Sequence, residues 1–224
     1  MEKKTEMDRR KFMKFLGGGV AAGVGVTLTA TPGFAKSKSK KGQGKPKYAM
    51  VINTPKCIGC MACVAACKSE NNVPLGVTRT RVQDAERGTY PKCYRIFTPE
   101  LCNQCENPPC IPVCPVDATF RNPDGLVVID QKKCISCGMC VKSCPYNARF
   151  INEMAKAADK CDLCEKRRAQ GLQPACVEVC TTNSRVLGKV GEKDTQFAKL
   201  SSRKDLSVLK AKLGTKPAFK YVGL

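Results

Sequence analysis

The sequence predicts an α+β fold of short helices, hairpins and long loops, and three observations predict it. Sixteen of the 17 cysteines fall into four groups of four, so much of the chain is committed to holding them in loops. The apolar residues of the body come mainly in short runs of strand length bounded by turn sequences, with only one loose helical face. At 224 residues and 42% hydrophobic, the chain suffices for one or two small domains with a modest core.

Taken in order, residues 1–35 read as an export signal: Lys3, Lys4, Arg9, Arg10, Lys11 and Lys14 precede an apolar run over 15–30. Asp8-Arg9-Arg10-Lys11-Phe12-Met13-Lys14 resembles the twin-arginine motif, departing from its usual Ser or Thr at Asp8 and frequent Leu at Met13, and Gly33 and Ala35 supply small residues for a cut after Ala35. An uncleaved anchor is the alternative, although the run is shorter than the ~20 residues that span a bilayer. Residues 36–47 are rich in Lys, Ser and Gly and read as a solvated basic linker. The body starts at Tyr48 with a strand over 48–52. A hairpin is expected from 78–82 and 93–97, with Cys93 on its return strand as a packed thiol. A second is expected from 119–121 and 126–129 around Asn122-Pro123-Asp124-Gly125. Residues 185–190 suit a closing strand. Phe197, Leu200, Leu206 and Leu209 fit one helical face loosely, and 213–222 looks extended and docked on the body.

The four groups are Cys57, Cys60, Cys63 and Cys67; Cys102, Cys105, Cys110 and Cys114; Cys134, Cys137, Cys140 and Cys144; and Cys161, Cys164, Cys176 and Cys180. The third reads C-x2-C-x2-C-x3-C-P, the bacterial ferredoxin run, in which three thiolates reach one iron–sulfur cube and the fourth serves its neighbour. The first repeats this spacing. The second widens one interval, and the fourth carries an eleven-residue insertion with Lys166, Arg167 and Arg168, which is either a solvated loop or a docking element. Disulfide frameworks seldom repeat C-x2-C four times. All-cysteine zinc sites remain the structural alternative, but they usually take two cysteines from each of two separated knuckles.

Charge narrows the partners. The formal +20 points first to nucleic acid or anionic lipid, and a multi-cysteine zinc module on nucleic acid is the rival reading. From Tyr48 onward, however, the count is 27 Lys/Arg against 16 Asp/Glu. Each 4Fe-4S core with four thiolates carries net 2−, so four of them would leave the body only about +3. Nucleic acid is therefore not expected as a partner. The absence of histidine excludes Rieske, histidine-ligated haem and Cys-His zinc sites within the chain. No phosphate-binding loop or spare acid–base constellation is present, so no direct small-molecule substrate and no catalysis by this chain are expected. Lys132, Lys133 and Lys142 are candidates for tuning potentials.

From Tyr48 to its C terminus the chain resembles the four-cluster iron–sulfur subunits of the DMSO-reductase type. The likeness is greatest to the iron–sulfur subunit of periplasmic formate-dependent nitrite reduction systems. The matching stretches are 57–67 with Glu70-Asn71-Asn72-Val73-Pro74, then 102–115, 134–145, 160–164, 174–178 and 213–217; Thr181-Thr182-Asn183-Ser184 departs from the family's usual Pro-Thr-Gly-Ala. The resemblance implies two pseudo-symmetric ferredoxin-like halves within residues 48–192, groups one and four forming one and groups two and three the other, with 193–224 as an extension packing on the body. It implies four 4Fe-4S clusters with swapped ligands. Cys57, Cys60 and Cys63 would join Cys180, and Cys161, Cys164 and Cys176 would join Cys67. Cys102, Cys105 and Cys110 would join Cys144, and Cys134, Cys137 and Cys140 would join Cys114. It further implies a periplasmic electron-transfer subunit, not itself an enzyme, between a polytopic quinol-oxidising membrane subunit and a terminal reductase or its multihaem cytochrome c. The terminal acceptor is left open between nitrite and sulfur compounds.

Overall fold

Strand β1 (Tyr48–Asn53) lies near the start of the part described by the computed structural model, residues 44–224, and is buried on both faces. Met50 and Ile52 enter the main core with Phe219 and Tyr221, whereas Val51, on the opposite face of the pleat, packs with Val186, Phe197 and Val222. The expected export signal, and the linker up to residue 43, lie outside the described residues. Among the described residues no helix is long and apolar enough to cross a membrane.

Helix α1 (Ala62–Asn71) follows the first cysteines and is succeeded by a hairpin of β2 (Thr80–Arg87) and β3 (Tyr94–Leu101). That hairpin was expected, but it is longer than the sequence suggests and only its inner end is covered: Thr80 and Leu101 are buried, while residues 84–94 are exposed. Cys93 corrects the reading of a packed thiol. It precedes β3 at the exposed end of the hairpin, where no second layer covers it.

The expected hairpin over 119–129 forms from β4 (Thr119–Arg121) and β5 (Val127–Ile129). Its turn is closed by Asn122, whose Oδ1 accepts from the N–H groups of Asp124 and Leu126. Helix α2 (Met139–Lys142) leads to a third hairpin, β6 (Arg149–Asn152) with β7 (Ala157–Lys160). These two strands carry too little apolar alternation to stand out in sequence. The side chain of Asn152 makes their turn by accepting from Met154 and Ala155.

Helix α3 (Glu165–Ala169) lies within the insertion of group four, and α4 (Ala175–Glu178) begins at its last residue. Two of the insertion's three basic residues are tied to the body, while Lys166 stays exposed. Arg167 pairs with Glu70 and Glu178, and the Arg168 guanidinium lies 4.4 Å over the Tyr48 ring. Strand β8 (Arg185–Lys189) closes on β1 as expected, antiparallel, with Met50 opposite Leu187.

Helix α5 (Gln196–Ser201) is capped by Thr195, whose hydroxyl accepts from the Ala198 N–H. The helical face expected through Leu209 stops short: Ser201 and Ser202 bond back to the carbonyls of Ala198 and Lys199, and Leu206 enters β9 (Leu206–Ser207). The tail straps the second cysteine loop, with Glu106 and Asn107 donating to the carbonyls of Lys216 and Thr215, and then forms β10 (Phe219–Val222). β10 is parallel to β1 and sits inside a four-stranded sheet of order β8-β1-β10-β9. The α+β expectation holds.

Candidate metal centres

All four cysteine groups share one backbone device. The residue before the second cysteine is left-handed: Gly59 (φ 70°), Gln104 (φ 47°), Ser136 (φ 56°) and Leu163 (φ 60°). Such a residue in a tight loop turns successive amides toward one concave side, which suits an anionic group held between cysteines three apart. Only glycine fits at position 59, because a Cβ there would lie 2.5 Å from the Phe97 ring. A second turn follows the last cysteine of three groups, where Asp117, Asn147 and Asn183 take φ near 50°. Asx residues tolerate that region. The departure at 181–184 therefore keeps the turn, with the Asn183 N–H donating to the Cys180 carbonyl at 3.0 Å.

The fold brings cysteines of different groups together. Cys57, Cys60, Cys63 and Cys180 line one cavity, and Cys102, Cys105, Cys110 and Cys144 line another. Cys67, buried on α1, stands among Cys164, Cys176 and Cys161 of group four. Of the remaining four, Cys140 is buried with Val127 and Ala158, and Cys134 packs against them. Cys134 accepts from the Ala158 N–H at 3.3 Å and Cys114 from the Ala118 N–H at 3.2 Å, while Cys137 is exposed. Buried Gln104 links two of these places: its Nε2 donates to the Cys161 carbonyl at 3.0 Å and its Oε1 accepts from the Val127 N–H at 2.8 Å.

Electrostatics tests what fits there. Burial, followed by the neighbouring cysteines, pushes the Cys67 and Cys105 thiols up to about 12. Without metal they are therefore protonated at neutral pH, and loading must release protons. Burial also opposes ionisation of Cys180, but hydrogen bonds from Thr182 and the backbone N–H groups of Ser184 and Arg185 outweigh it, holding that thiol below its ordinary value. Among the described residues no three cysteine or carboxylate side chains converge on one ion, as the short Zn–S distance of about 2.3 Å demands. The four-cysteine cavities suit a polynuclear group.

Two buried arginines supply a further test. Arg149 donates to the Cys110 sulfur at 3.0 Å and Arg185 to the Cys63 sulfur at 3.3 Å. A guanidinium cannot shed its proton, and burying it without a counter-charge costs several kcal/mol. Cysteines lead the charged groups acting on each, and cluster thiolates would supply the missing negative charge. Asn71 is aimed similarly, with Nδ2 3.6 Å from the Cys67 sulfur and 3.8 Å from that of Cys164. Sequence reasoning missed these groups. The arginines could have been found by superposing Cys144-Pro145-Tyr146-Asn147-Ala148-Arg149 on Cys180-Thr181-Thr182-Asn183-Ser184-Arg185. The lysines it favoured, Lys132, Lys133 and Lys142, are all exposed at the surface, where solvent screens them.

Comparison with known proteins agrees. A family model described as "4Fe-4S dicluster domain" matches residues 92–190, and one described as "4Fe-4S binding domain" matches residues 54–73. The tetrathionate reductase B subunit of Salmonella typhimurium is 40% identical over 224 residues, covering 98% of this chain and 89% of that one. The protein of the same name from Archaeoglobus fulgidus is 44% identical over 200 residues, covering 89% and 92%. Protein NrfC of Escherichia coli K12 is 38% identical over 221 residues, covering 95% and 96%. With the cysteine spacing and the shared cavities, these relatives identify the chain as a member of the 4Fe-4S iron–sulfur subunit family of the DMSO-reductase type.

Proposed function

We propose that this chain is a periplasmic electron-transfer subunit. It would hold four 4Fe-4S clusters on its sixteen grouped cysteines, in two pseudo-symmetric halves, with the swapped ligand sets given above. It would carry single electrons from a polytopic quinol-oxidising membrane subunit to a terminal reductase or its multihaem cytochrome c. The observation that carries the reading is the sorting of cysteines: in three places the last cysteine of one group stands with the first three of another. The clusters supply one-electron carriers whose potentials follow charge, hydrogen bonds to sulfur and exposure. The chain's own residues set those terms through Arg149, Arg185, Asn71 and the amides of Ala118, Ala158 and Leu163.

Two features support a relay with an entry and an exit. Cys60 and Cys137 are exposed, whereas Cys105, Cys110, Cys161, Cys164 and Cys176 are buried. The relatives named as B subunits of tetrathionate and selenate reductases support a catalytic reductase as partner. Quinol oxidation is assigned to another polypeptide, since this chain has no histidine to take a quinol proton, and its described residues include no membrane-length helix. The twin-arginine segment supports export in the folded state.

Anaerobically isolated protein should contain about sixteen iron and sixteen acid-labile sulfide atoms. Its absorbance should bleach with a menaquinol analogue only when membranes containing the partner are added. Stoichiometric zinc with little iron would refute the cofactor, and rapid bleaching without the partner would refute the role given to the membrane protein.

A further inference from the structure

Arg149 and Arg185 occupy matching places in the chain. Each stands five residues after the last cysteine of its group and opens a strand, β6 or β8. They are 4% and 2% exposed. Each donates Nη2 to the sulfur of the third cysteine of an earlier group, Arg149 to Cys110 at 3.0 Å and Arg185 to Cys63 at 3.3 Å. Each also donates to a threonine hydroxyl that opens another strand, Thr119 at 3.2 Å and Thr80 at 2.9 Å. A second cysteine stands close behind the first in each place: Cys140 shares a buried cluster with Cys110, and the helix carrying Cys176 packs against the one carrying Cys63. Among the described residues neither arginine makes an ion pair with a carboxylate.

The two cysteines at each place belong to different ligand sets. Cys63 and Cys176 fall to the two sets of groups one and four, and Cys110 and Cys140 to the two sets of groups two and three. We propose that Arg149 and Arg185 are inter-cluster positioning residues, each a fixed positive charge shared by the two clusters of its half and raising both reduction potentials together. The proposal rests on the four-cluster reading given above.

The physical reason is direct. Reduction adds one negative charge to a cluster, and a buried cation beside it favours the reduced form far more than an exposed lysine does. Because the cation sits on one set at a place where the other packs beside it, its field acts on the pair. Arginine suits the place better than lysine: its planar fork reaches a hydroxyl and sulfur at once, and it keeps its charge when buried.

The test begins with iron content of the unaltered protein, since about sixteen atoms are required and fewer would count against the four-cluster reading rather than against this one. Arg185→Gln and Arg149→Gln are then titrated anaerobically with dithionite and mediators, each centre being followed by EPR. Arg185→Gln should lower the reduction equilibrium constant at least tenfold, about 59 mV for one electron, at the two centres that Cys63→Ser and Cys176→Ser perturb. It should leave the other two unchanged, and Arg149→Gln should do the converse. Unchanged potentials, a shift at a single centre, or an equal shift at all four would overturn the proposal. Should a glutamine variant lose iron, the lysine variant decides. Full iron with both potentials within twofold of the unaltered equilibrium constants supports a shared charge. A lysine variant that also loses iron, or shifts further than twofold, makes the arginine a packing element and overturns it.

Discussion

Replacing Asp159 by Asn tests whether the polar interior behind one cysteine set is held by charge. Arg79 sits between two carboxylates, with Nη2 2.8 Å from Asp159 and Nη1 3.3 Å from Asp162. The Arg79 and Asp159 side chains are only 10% and 5% exposed, whereas Asp162 is 33% exposed. Asp159 also accepts from Asn152 and from the Lys160 N–H. Removing one partner of a buried pair typically costs 3–5 kcal/mol, and the remaining Asp162 offsets part, leaving about 2–3 kcal/mol. For a domain of this size that corresponds to roughly 5–10 °C in melting temperature. The control is Asp205→Asn, which breaks an equally short pair with Arg203 in the open, where side chains are about half exposed, and should barely register. Melting would be followed anaerobically by cluster absorbance. Arg79 also holds Asn71 at 2.8 Å, and Asn71 faces the sulfurs of Cys67 and Cys164, so the centre there should be the first to bleach. An Asp159→Asn protein that melts within about 2 °C of the unaltered one, or no lower than Asp205→Asn, would refute the reasoning.

Two further outcomes follow from the cysteine sets. Cys180→Ser should perturb the same EPR centre as Cys57→Ser; if it instead alters the centre that Cys161→Ser alters, the ligand exchange between groups one and four is wrong. In metal-free protein Cys67 and Cys105 are raised from 9.0 to about 12, so between those values the unfolded chain sheds protons that the folded chain keeps. Stability of the metal-free form is therefore fully present below about pH 9 and should fall as pH rises toward 12. Urea midpoints at pH 8 and pH 10 measure this, and a higher midpoint at pH 10 would contradict it.

The cysteine loops were legible in sequence because spacing alone determines which thiols can share a turn. The same holds for β1, for the turn at Asn122 and for β8, where local composition and position agree. Other parts were not legible because single polar side chains or the cover of other elements decide them. Residues 149–152 and 157–160 become strands through the side chain of Asn152 rather than through apolar alternation. Leu206 leaves the expected helical face because two serines turn the backbone first. Cys93 looked like a core thiol because its strand was real, but nothing in the local sequence tells how far the hairpin outruns its cover. Arg149 and Arg185 resemble any polar strand-opening residue until burial and the sulfur beside each are seen.

The position of β10 has a consequence for how the protein is made. β10 follows all four cysteine groups in sequence and separates β1 from β9, so until residues 219–222 have been synthesised β1 can pair with β8 but its other edge stays bare. Phe219 and Tyr221 of β10, both fully buried, are also absent from the core until that strand has been made. Such long-range closure is slow compared with local pairing and leaves an open strand edge in the interval. A product truncated before residue 219 would keep that open edge permanently, even with all sixteen grouped cysteines in place. The filling of that one slot in the sheet is thus what physically separates a chain that includes residues 219–222 from one that lacks them.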